Sequence, residues 1–180
     1  MCSSSFTVSQ ARTEIPLLIA FADLSRFASG SRRRSDLQVA EILDGFYSLV
    51  NQHIAKSGGK VVKFIFDAAL IIFPENRADE GVRALMALKD RVDKWLKEEG
   101  WDSQLIIKAH FGTAVAGGFG LNGDKRFDVV GSAVSQAATL NATSIALSAA
   151  AFRKLSSETR RLFKKHTPPI TYIPTDAPRP

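Results

Sequence analysis

The apolar residues of the chain follow two patterns, short continuous runs and longer segments in which only one face is apolar. The runs have the length of strands and are separated by turn-prone residues. They occupy residues 17–22, 60–66, 68–73, 105–111 and 113–119. We therefore predict five strands, of which the second and third form a hairpin around 66–67 and the last two flank Gly112.

Three segments between the runs are predicted to be helices. The first begins after Ser35, which has Gln38 three residues later in the pattern of a capping box, and ends before Gly58. Its apolar face contains Val39, Leu43, Phe46, Val50 and Ile54. The second ends before Gly100, and its apolar face contains Val82, Leu85, Leu88, Val92 and Leu96. A third helix is expected over 132–140.

The remaining segments complete the predicted order. Residues 29–34 are interpreted as a loop, and the tail is expected to hold strands near 144–147 and 170–173 with a helix between 148 and 165. The succession of strand, helix, hairpin, helix and hairpin indicates an α+β fold. It is typical of a ferredoxin-like βαββαβ sandwich, with helices on one face of a mostly antiparallel sheet. Residues 1–13 are interpreted as a flexible lead-in and 14–176 as one domain.

Composition narrows the class of protein without choosing a function. Of the 180 residues 45% are hydrophobic, enough for one sizeable core, and the net charge of +6 attracts any polyanion without favouring one. Cys2 is the only cysteine, which excludes an internal disulfide. No apolar run approaches the roughly 20 residues that cross a bilayer, and no signal-peptide pattern opens the chain. We expect a cytoplasmic protein without a membrane span.

Asp23 and Asp67 are the strongest candidates for chemistry, because each follows an apolar strand run. Strand ends at one edge of a sheet can bring two carboxylates together, and such a pair repels unless it is protonated or bridged by a cation. Carboxylate oxygens suit Mg²⁺ or Mn²⁺. Aspartate is also common in turns, so spacing alone leaves a purely structural role open for both residues.

Four segments around these carboxylates resemble, in order, the motifs of class III nucleotidyl cyclases. Residues 21–27 (F-A-D-L-S-R-F) resemble the first metal motif, F-A-D-I-x-G-F, and 63–68 (K-F-I-F-D-A) resemble the second, K-x-x-G-D-A. Residues 110–120 follow H-T-G-x-V-V-A-G-x-x-G, and 127–140 resemble Y-D-x-x-G-x-x-V-N-x-A-A-R-L. The domain over 14–176 is identified as a member of this family.

The resemblance implies a role for each matching position. Asp23 and Asp67 are expected to hold two ions, Mg²⁺ or Mn²⁺, which activate the ribose 3′ hydroxyl and neutralise the triphosphate. Lys63 and Asp128 match the pair that reads adenine, a lysine donating to N1 and an aspartate accepting from the N6 amine, which favours ATP over GTP. Phosphate oxygens are expected on the backbone amides of Leu24, Ser25, Arg26, Phe27 and Ala28.

Several positions depart from the family pattern. Ser135 stands where the family has the asparagine that holds ribose, and Thr139 where it has the arginine that stabilises charge on the α-phosphate. Phe66 and Arg26 both replace glycines, and a bulky residue at 66 is penalised if the turn needs positive φ. Arg26 either crowds its loop or supplies the missing cation.

The family's phosphate-binding lysine matches either Lys164 or Lys165, which are adjacent in the tail. His110 is interpreted as a hydrogen-bonded structural residue, since a lone histidine between strand residues is more often structural than catalytic.

Two functions remain open. The first is an adenylate cyclase that converts ATP to 3′,5′-cyclic AMP and pyrophosphate, with activity reduced by Ser135 and Thr139. The second is a cyclase homology module that binds ATP or a partner subunit without efficient turnover. The resemblance places the site between two subunits, so either a homodimer or a heterodimer with another cyclase domain is expected. An RNA-binding role is disfavoured, because the aromatic stacking motif of such sheets is absent from the sequence.

Overall fold

Strands and helices alternate through the described part of the chain. The computed structural model describes residues 11–167 and 169–177. The strands are β1 (Thr13–Leu24), β2 (Lys60–Ile65), β3 (Ala68–Pro74), β4 (Leu105–Phe119), β5 (Arg126–Val130), β6 (Ile145–Ser148), β7 (Phe163–His166) and β8 (Thr171–Pro174). The helices are α1 (Phe27–Ser31), α2 (Asp36–Lys56), α3 (Ala78–Glu98), α4 (Ser132–Ala138), α5 (Ala149–Arg153) and α6 (Ser157–Arg160).

The eight strands of the described residues join one sheet in the order β2-β3-β1-β4-β6-β8-β7, with β5 paired to β4 alone. Every pairing is antiparallel except that of β4 with β6. The first four positions, β2-β3-β1-β4, together with α2 and α3, form the predicted βαββαβ unit. The α+β fold class expected from the sequence is therefore confirmed. The predicted lead-in, residues 1–13, lies mostly outside the described residues.

Helices cover both faces of this sheet. Helices α2 and α3 pack on one face, where Phe46 and Leu85 share a core with Leu18 of β1. Helix α4 packs on the other face, where Ala133 contacts the cluster of Leu17 and Ile19. The expectation of helices on one face was thus right for α2 and α3 and wrong for α4. The run in β1 is apolar at consecutive positions, so both faces of the strand need cover.

The predicted start and end of α2 and the predicted end of α3 are confirmed. Ser35 Oγ accepts a hydrogen bond from the Gln38 amide at 3.3 Å, and Gln38 Oε1 accepts one from the Ser35 amide at 3.0 Å. This reciprocal pair is the capping box that the sequence predicts for α2. Both helices end before a glycine with positive φ, Gly58 at 73° and Gly100 at 70°.

Gly112 was wrongly interpreted as the break between two strands. Residues 105–119 form the single strand β4, and the hairpin partner of β4 is β5, which the sequence pattern did not identify as a strand. A Cβ atom at Gly112 would lie 2.8 Å from Cβ of Ala133. The glycine therefore allows α4 to approach the sheet closely, and it is not needed for a turn.

The single helix expected between 148 and 165 is also wrong. Two short helices, α5 and α6, and the strand β7 occupy this segment. Two serines cap separate helix starts, because Ser148 Oγ accepts from the Ala151 amide and Ser156 Oγ from the Thr159 amide, each at 3.2 Å. The predicted loop 29–34 is partly helical, since α1 extends to Ser31.

Among residues 11–167 and 169–177, no helix is long and apolar enough to cross a membrane.

Candidate functional site

The two candidate carboxylates lie side by side at one end of the sheet. Asp23 is the penultimate residue of β1, and Asp67 is in the two-residue turn between β2 and β3. Asp23 is in register with Ala68, the residue after Asp67. The Leu24 amide donates to the Asp67 carbonyl at 3.1 Å, which holds the turn against the end of β1. The structure therefore brings together the pair that the sequence singled out.

Neither carboxylate is in an environment that favours its ionised form. Burial raises the pKa of Asp23, the nearby charge of Lys108 lowers it, and the charge of Asp67 raises it further. Burial likewise raises the pKa of Asp67. Oδ1 of Asp23 is buried and has no hydrogen-bond partner among the described residues. A buried, unpaired carboxylate oxygen costs free energy, and a cation bound between the two aspartates would remove that cost.

The turn that carries Asp67 is held in an unusual backbone conformation. Phe66 has φ of 56°, in the left-handed region that favours glycine. The Tyr47 hydroxyl donates to the Phe66 carbonyl at 2.7 Å, and the exposed Phe66 ring lies edge-on to Phe27 with centroids 5.6 Å apart. These two contacts stabilise the conformation without a glycine. Because the turn does need a positive φ, the steric penalty expected for a bulky residue at position 66 applies.

Only part of the expected phosphate-binding turn has amides available. The Leu24 amide donates to the Asp67 carbonyl, and the Ser25 amide donates to the Gln104 carbonyl at 2.8 Å. The amides of Arg26, Phe27 and Ala28 have no backbone acceptor among the described residues. The structure thus offers three amides for an anion where five were expected.

The Arg26 side chain points to the neighbouring loop. Arg26 occupies the N-cap position of α1 with φ of 55° and makes no capping hydrogen bond with its side chain. Its Nη2 donates to Asp102 Oδ1 at 3.0 Å. Both side chains are exposed, at 59% and 91%, so the ion pair contributes little to stability. In this structure the guanidinium lies against Asp102, and its positive charge is partly balanced there.

Lys63 of β2 and Asp128 of β5 form an ion pair. Lys63 Nζ donates to Asp128 Oδ2 at 2.6 Å, although the residues are 65 positions apart in the sequence. Asp128 Oδ1 also accepts from the Val129 amide at 2.8 Å. The pair is accessible, with side-chain exposures of 44% and 25%. The structure therefore brings together a donor and an acceptor that were predicted to act on one base.

Ser135 and Thr139 lie exposed on α4 and at its end, and no described contact joins them to the carboxylates. The Thr139 hydroxyl donates to the Ser135 carbonyl at 3.0 Å. The proton of the Thr139 hydroxyl is thus used in a hydrogen bond at the end of its own helix. Among the described residues of one chain, no hydrogen bond or ion pair links the two predicted halves of the site.

The two candidate lysines in β7 differ in their contacts. Lys164 Nζ donates to the carbonyls of Thr175 at 2.9 Å and Ala177 at 2.7 Å. Lys165 is exposed and has no hydrogen bond or ion pair among the described residues. The Lys164 side chain therefore holds the C-terminal segment, and the free ammonium is that of Lys165.

His110 has the structural setting that the sequence analysis expected. It is 8% exposed, and its Nδ1 is hydrogen bonded to Ser148 Oγ at 2.9 Å. Burial lowers its pKa. The same hydroxyl caps α5, so His110 ties β4 to the start of that helix.

Sequence reasoning missed Tyr47 and Lys108 as neighbours of the carboxylates. Lys108 is in register with Phe21, two residues before Asp23, and Tyr47 holds the turn of Asp67. The available signal for Lys108 was a single charged residue inside the apolar run 105–111.

Comparison with known proteins identifies the family. A profile described as the adenylate and guanylate cyclase catalytic domain matches residues 9–168. An adenylate cyclase of Anabaena cylindrica is 24% identical over 132 residues, which are 69% of this chain and 26% of that protein. The chain therefore spans about a quarter of that relative's length.

Solved structures of both nucleotide classes share the fold. A bacterial light-regulated adenylyl cyclase superposes with a TM-score of 0.81 at 19% identity, covering 94% of this chain and 54% of that one. The guanylyl cyclase Cya2 gives a TM-score of 0.76 at 19% identity, covering 91% and 92%. The fold alone does not choose between ATP and GTP. On the profile match over most of its length, the chain belongs to the adenylate and guanylate cyclase catalytic domain family.

Proposed function

We propose that this domain converts ATP to 3′,5′-cyclic AMP and pyrophosphate, at a site completed by a second cyclase domain. The observation that carries the proposal is the pairing of Asp23 and Asp67, with a buried Asp23 oxygen that lacks a partner among the described residues. Such a pair is unfavourable in the free protein, so the arrangement makes physical sense as a binding site for cations.

The residues present fit divalent metal ions. Two carboxylates match the way Mg²⁺ binds in nucleotide sites, where one or two carboxylates hold the ion and water and substrate phosphates supply the other ligands. Among the described residues no group of three or more histidine, cysteine or acidic side chains comes together, so a dedicated all-protein metal cage is not the arrangement. When bound, two such ions activate the attacking oxygen and neutralise the leaving pyrophosphate. Asp23 and Asp67 would hold them.

The remaining chemistry is positioning. The reaction forms a bond from the ribose 3′ oxygen to the α-phosphorus and breaks the bond to the β-phosphate bridging oxygen. The 3′ proton is released, and pyrophosphate leaves. The amides of Arg26, Phe27 and Ala28 would bind phosphate oxygens at the turn beside Asp23. Lys165 is the better candidate for a phosphate contact in the tail, because Lys164 already binds two carbonyls.

Lys63 and Asp128 support adenine as the base. An ammonium donates to N1 and a carboxylate accepts from the N6 amine, whereas guanine presents a donor at N1 and an acceptor at O6. In the free chain the two side chains bind each other. The pair is accessible, so its net contribution to stability is small, and a base that satisfies both groups can replace it.

A second candidate function is nucleotide or partner binding without efficient turnover. The observation favouring it is on α4, where Thr139 supplies no positive charge and its hydroxyl bonds to the Ser135 carbonyl. A homodimer would then lack the transition-state cation at both sites, whereas a heterodimer with a complete partner would have one functional site. The metal-binding half described here is common to both arrangements.

The decisive experiment is direct. Purified protein is incubated with ATP and Mn²⁺, and with GTP in parallel, and cyclic nucleotides are quantified by mass spectrometry. We expect cyclic AMP from the wild-type chain and none from Asp67→Ala. Asp90→Ala, an exposed aspartate on α3, is the matched control and should keep the wild-type rate. Cyclic AMP at the same level from Asp67→Ala, or no product from the wild type, would contradict catalysis by the homodimer.

A further inference from the structure

Lys108 lies on the same face of the sheet as Asp23. In the antiparallel register of β1 and β4, Phe21 is opposite Lys108 and Asp23 is opposite Ile106. Residues opposite each other share a face, and alternate residues along a strand return to it. Phe21 packs in the cluster beneath α4, which identifies that face. Lys108 is therefore the diagonal neighbour of Asp23, at the distance that a long side chain can span.

The ammonium is close to the carboxylates without being bound to them. Lys108 forms no ion pair or hydrogen bond with any residue in the described part of the chain. Its charge nevertheless acts on Asp23, where it opposes the effect of burial on the pKa. The ammonium of this half-buried lysine is therefore not neutralised by a partner in the described part of the chain, and it remains able to bind an anionic ligand.

The charge of Lys108 has opposite consequences for the binding of a divalent cation and for the binding of a triphosphate. It reduces the local charge from that of two carboxylates to that of one, which weakens the attraction for a divalent cation. It also attracts a triphosphate, which the carboxylates alone would repel. Charges separated by several ångströms at a partly exposed site change an equilibrium by roughly tenfold.

We propose that Lys108 couples metal binding to nucleotide binding, because its ammonium weakens the hold of the free site on divalent cations and binds the triphosphate when this arrives. The inference rests on the metal site of the proposed function. It makes Lys108 a specificity-determining residue, since the site is filled by metal and triphosphate together and only weakly by metal alone.

The first measurement is Mn²⁺ binding to the nucleotide-free protein, followed by electron paramagnetic resonance of the unbound ion. We expect Lys108→Met to bind Mn²⁺ about tenfold more tightly than the wild type. Lys97→Met is the matched control, because Lys97 is exposed on α3, which packs on the opposite face of the sheet. It removes the same net charge and should leave the affinity unchanged. An unchanged or weaker affinity in Lys108→Met, or an equal gain in Lys97→Met, would overturn the proposal.

The second measurement is binding of inorganic tripolyphosphate in the presence of a chelator, by isothermal titration calorimetry. We expect Lys108→Met to bind it several-fold more weakly and Lys108→Arg to bind it like the wild type. Opposite changes for cation and anion are the signature of charge, because a variant that merely disturbs the fold would lose both affinities. Loss of both affinities in Lys108→Met, with Lys108→Arg also impaired, would show a structural role and reject the coupling.

Failure of this inference can be told apart from failure of the metal site. The double variant Asp23→Asn with Asp67→Asn is expected to abolish Mn²⁺ binding. If Mn²⁺ binding persists there, the metal site itself is wrong, and the inference with it. If Mn²⁺ binding is lost there but is unaffected by Lys108→Met, only the role of Lys108 is wrong.

Discussion

The carboxylate end of the sheet and helix α4 belong to the same predicted site but differ in their electrostatics. Asp23 and Asp67 are partly buried, their pKa values are raised, and one oxygen lacks a partner among the described residues. Ser135 and Thr139 are exposed and neutral, and the Thr139 hydroxyl bonds within its own helix end. An arrangement that costs stability motivates the hypothesis of a ligand, whereas a satisfied one does not. The electrostatics of the first region support the proposed ligand site, and the second region has the features of an ordinary helix end.

The largest effect is expected from removing one of the carboxylates. Asp23→Asn should reduce cyclic AMP formation at least a hundredfold, because the proposed metal site would lose a charged ligand. The same change should raise the metal-free melting temperature by roughly 2–4 °C, about 1 kcal/mol, because an unfavourable buried charge is removed. Activity assays measure the rate of cyclic AMP formation, and differential scanning calorimetry measures the melting temperature. A variant that keeps activity, or one that melts lower than the wild type, would break the contrast between the regions.

Restoring the family residues on α4 tests the other region. Ser135→Asn with Thr139→Arg should raise cyclic AMP formation by up to about a hundredfold, because one preorganised donor to developing charge has about that value. Gln136→Arg is the matched control, since it adds the same charge at an exposed position of α4. Equal gains from both variants would mean that net charge, and not the position, is responsible.

The proposed base contact of Lys63 is expected to give a smaller effect. Lys63→Met should weaken ATP binding about tenfold, because one charge-assisted hydrogen bond to the base is lost. GTP binding should change less. Lys60→Met on the same strand is the control and should leave ATP affinity as it is. Equal losses for ATP and GTP, measured by calorimetry, would argue against adenine recognition by this lysine.

The turn of Asp67 offers a matched pair of variants. Both Phe66→Gly and Phe66→Ala remove the ring that contacts Phe27, but only glycine adopts φ near 56° without strain. We expect Phe66→Gly to be the more stable of the two by about 1 kcal/mol in urea unfolding. If the alanine variant were equally stable, the left-handed conformation of Phe66 would carry no cost.

The smallest effect is in the pH dependence of stability. Because the pKa of Asp23 is raised in the folded state above 3.8, the folded state holds its proton more strongly than the unfolded state. The stability that protonation of Asp23 contributes to the folded state is fully present below pH 3.8. It is lost as the pH rises through the pKa of Asp23 in the folded state. The stability gained by Asp23→Asn in metal-free protein should therefore be absent below pH 3.8 and grow to a plateau above it. If the stability gained by Asp23→Asn did not depend on pH, the burial of the Asp23 charge would not be its cause.

The sequence predicts the fold well where pattern and packing agree. The capping box of α2, the apolar faces of α2 and α3 and the hairpin of Asp67 all follow from local periodicity, and the structure has them. Gly112 shows the limit of such reasoning. A glycine between apolar runs indicates a turn when only neighbours in sequence are considered, but its reason is the contact with Ala133, 21 positions later.

The same limit applies to the site. The family motifs predict Asp23, Asp67, Lys63 and Asp128 as site residues, but they do not reveal which backbone amides are already used. The amides of Leu24 and Ser25 are taken by carbonyls from a turn and a loop far away in sequence. Lys108 was missed for a similar reason, because its relation to Asp23 exists only through the register of β1 and β4.

The ion pair between Lys63 and Asp128 has a consequence for discrimination between nucleotides. A base that enters between these side chains must separate an ammonium from a carboxylate 2.6 Å away. Adenine compensates both groups at once. A base that satisfies one of them leaves the other without its former partner, and because both side chains are accessible to solvent the expected loss is modest. If this pair reads the base as proposed, the ion pair of the free protein competes with the nucleotide, and a nucleotide must replace the interaction of both side chains to bind there.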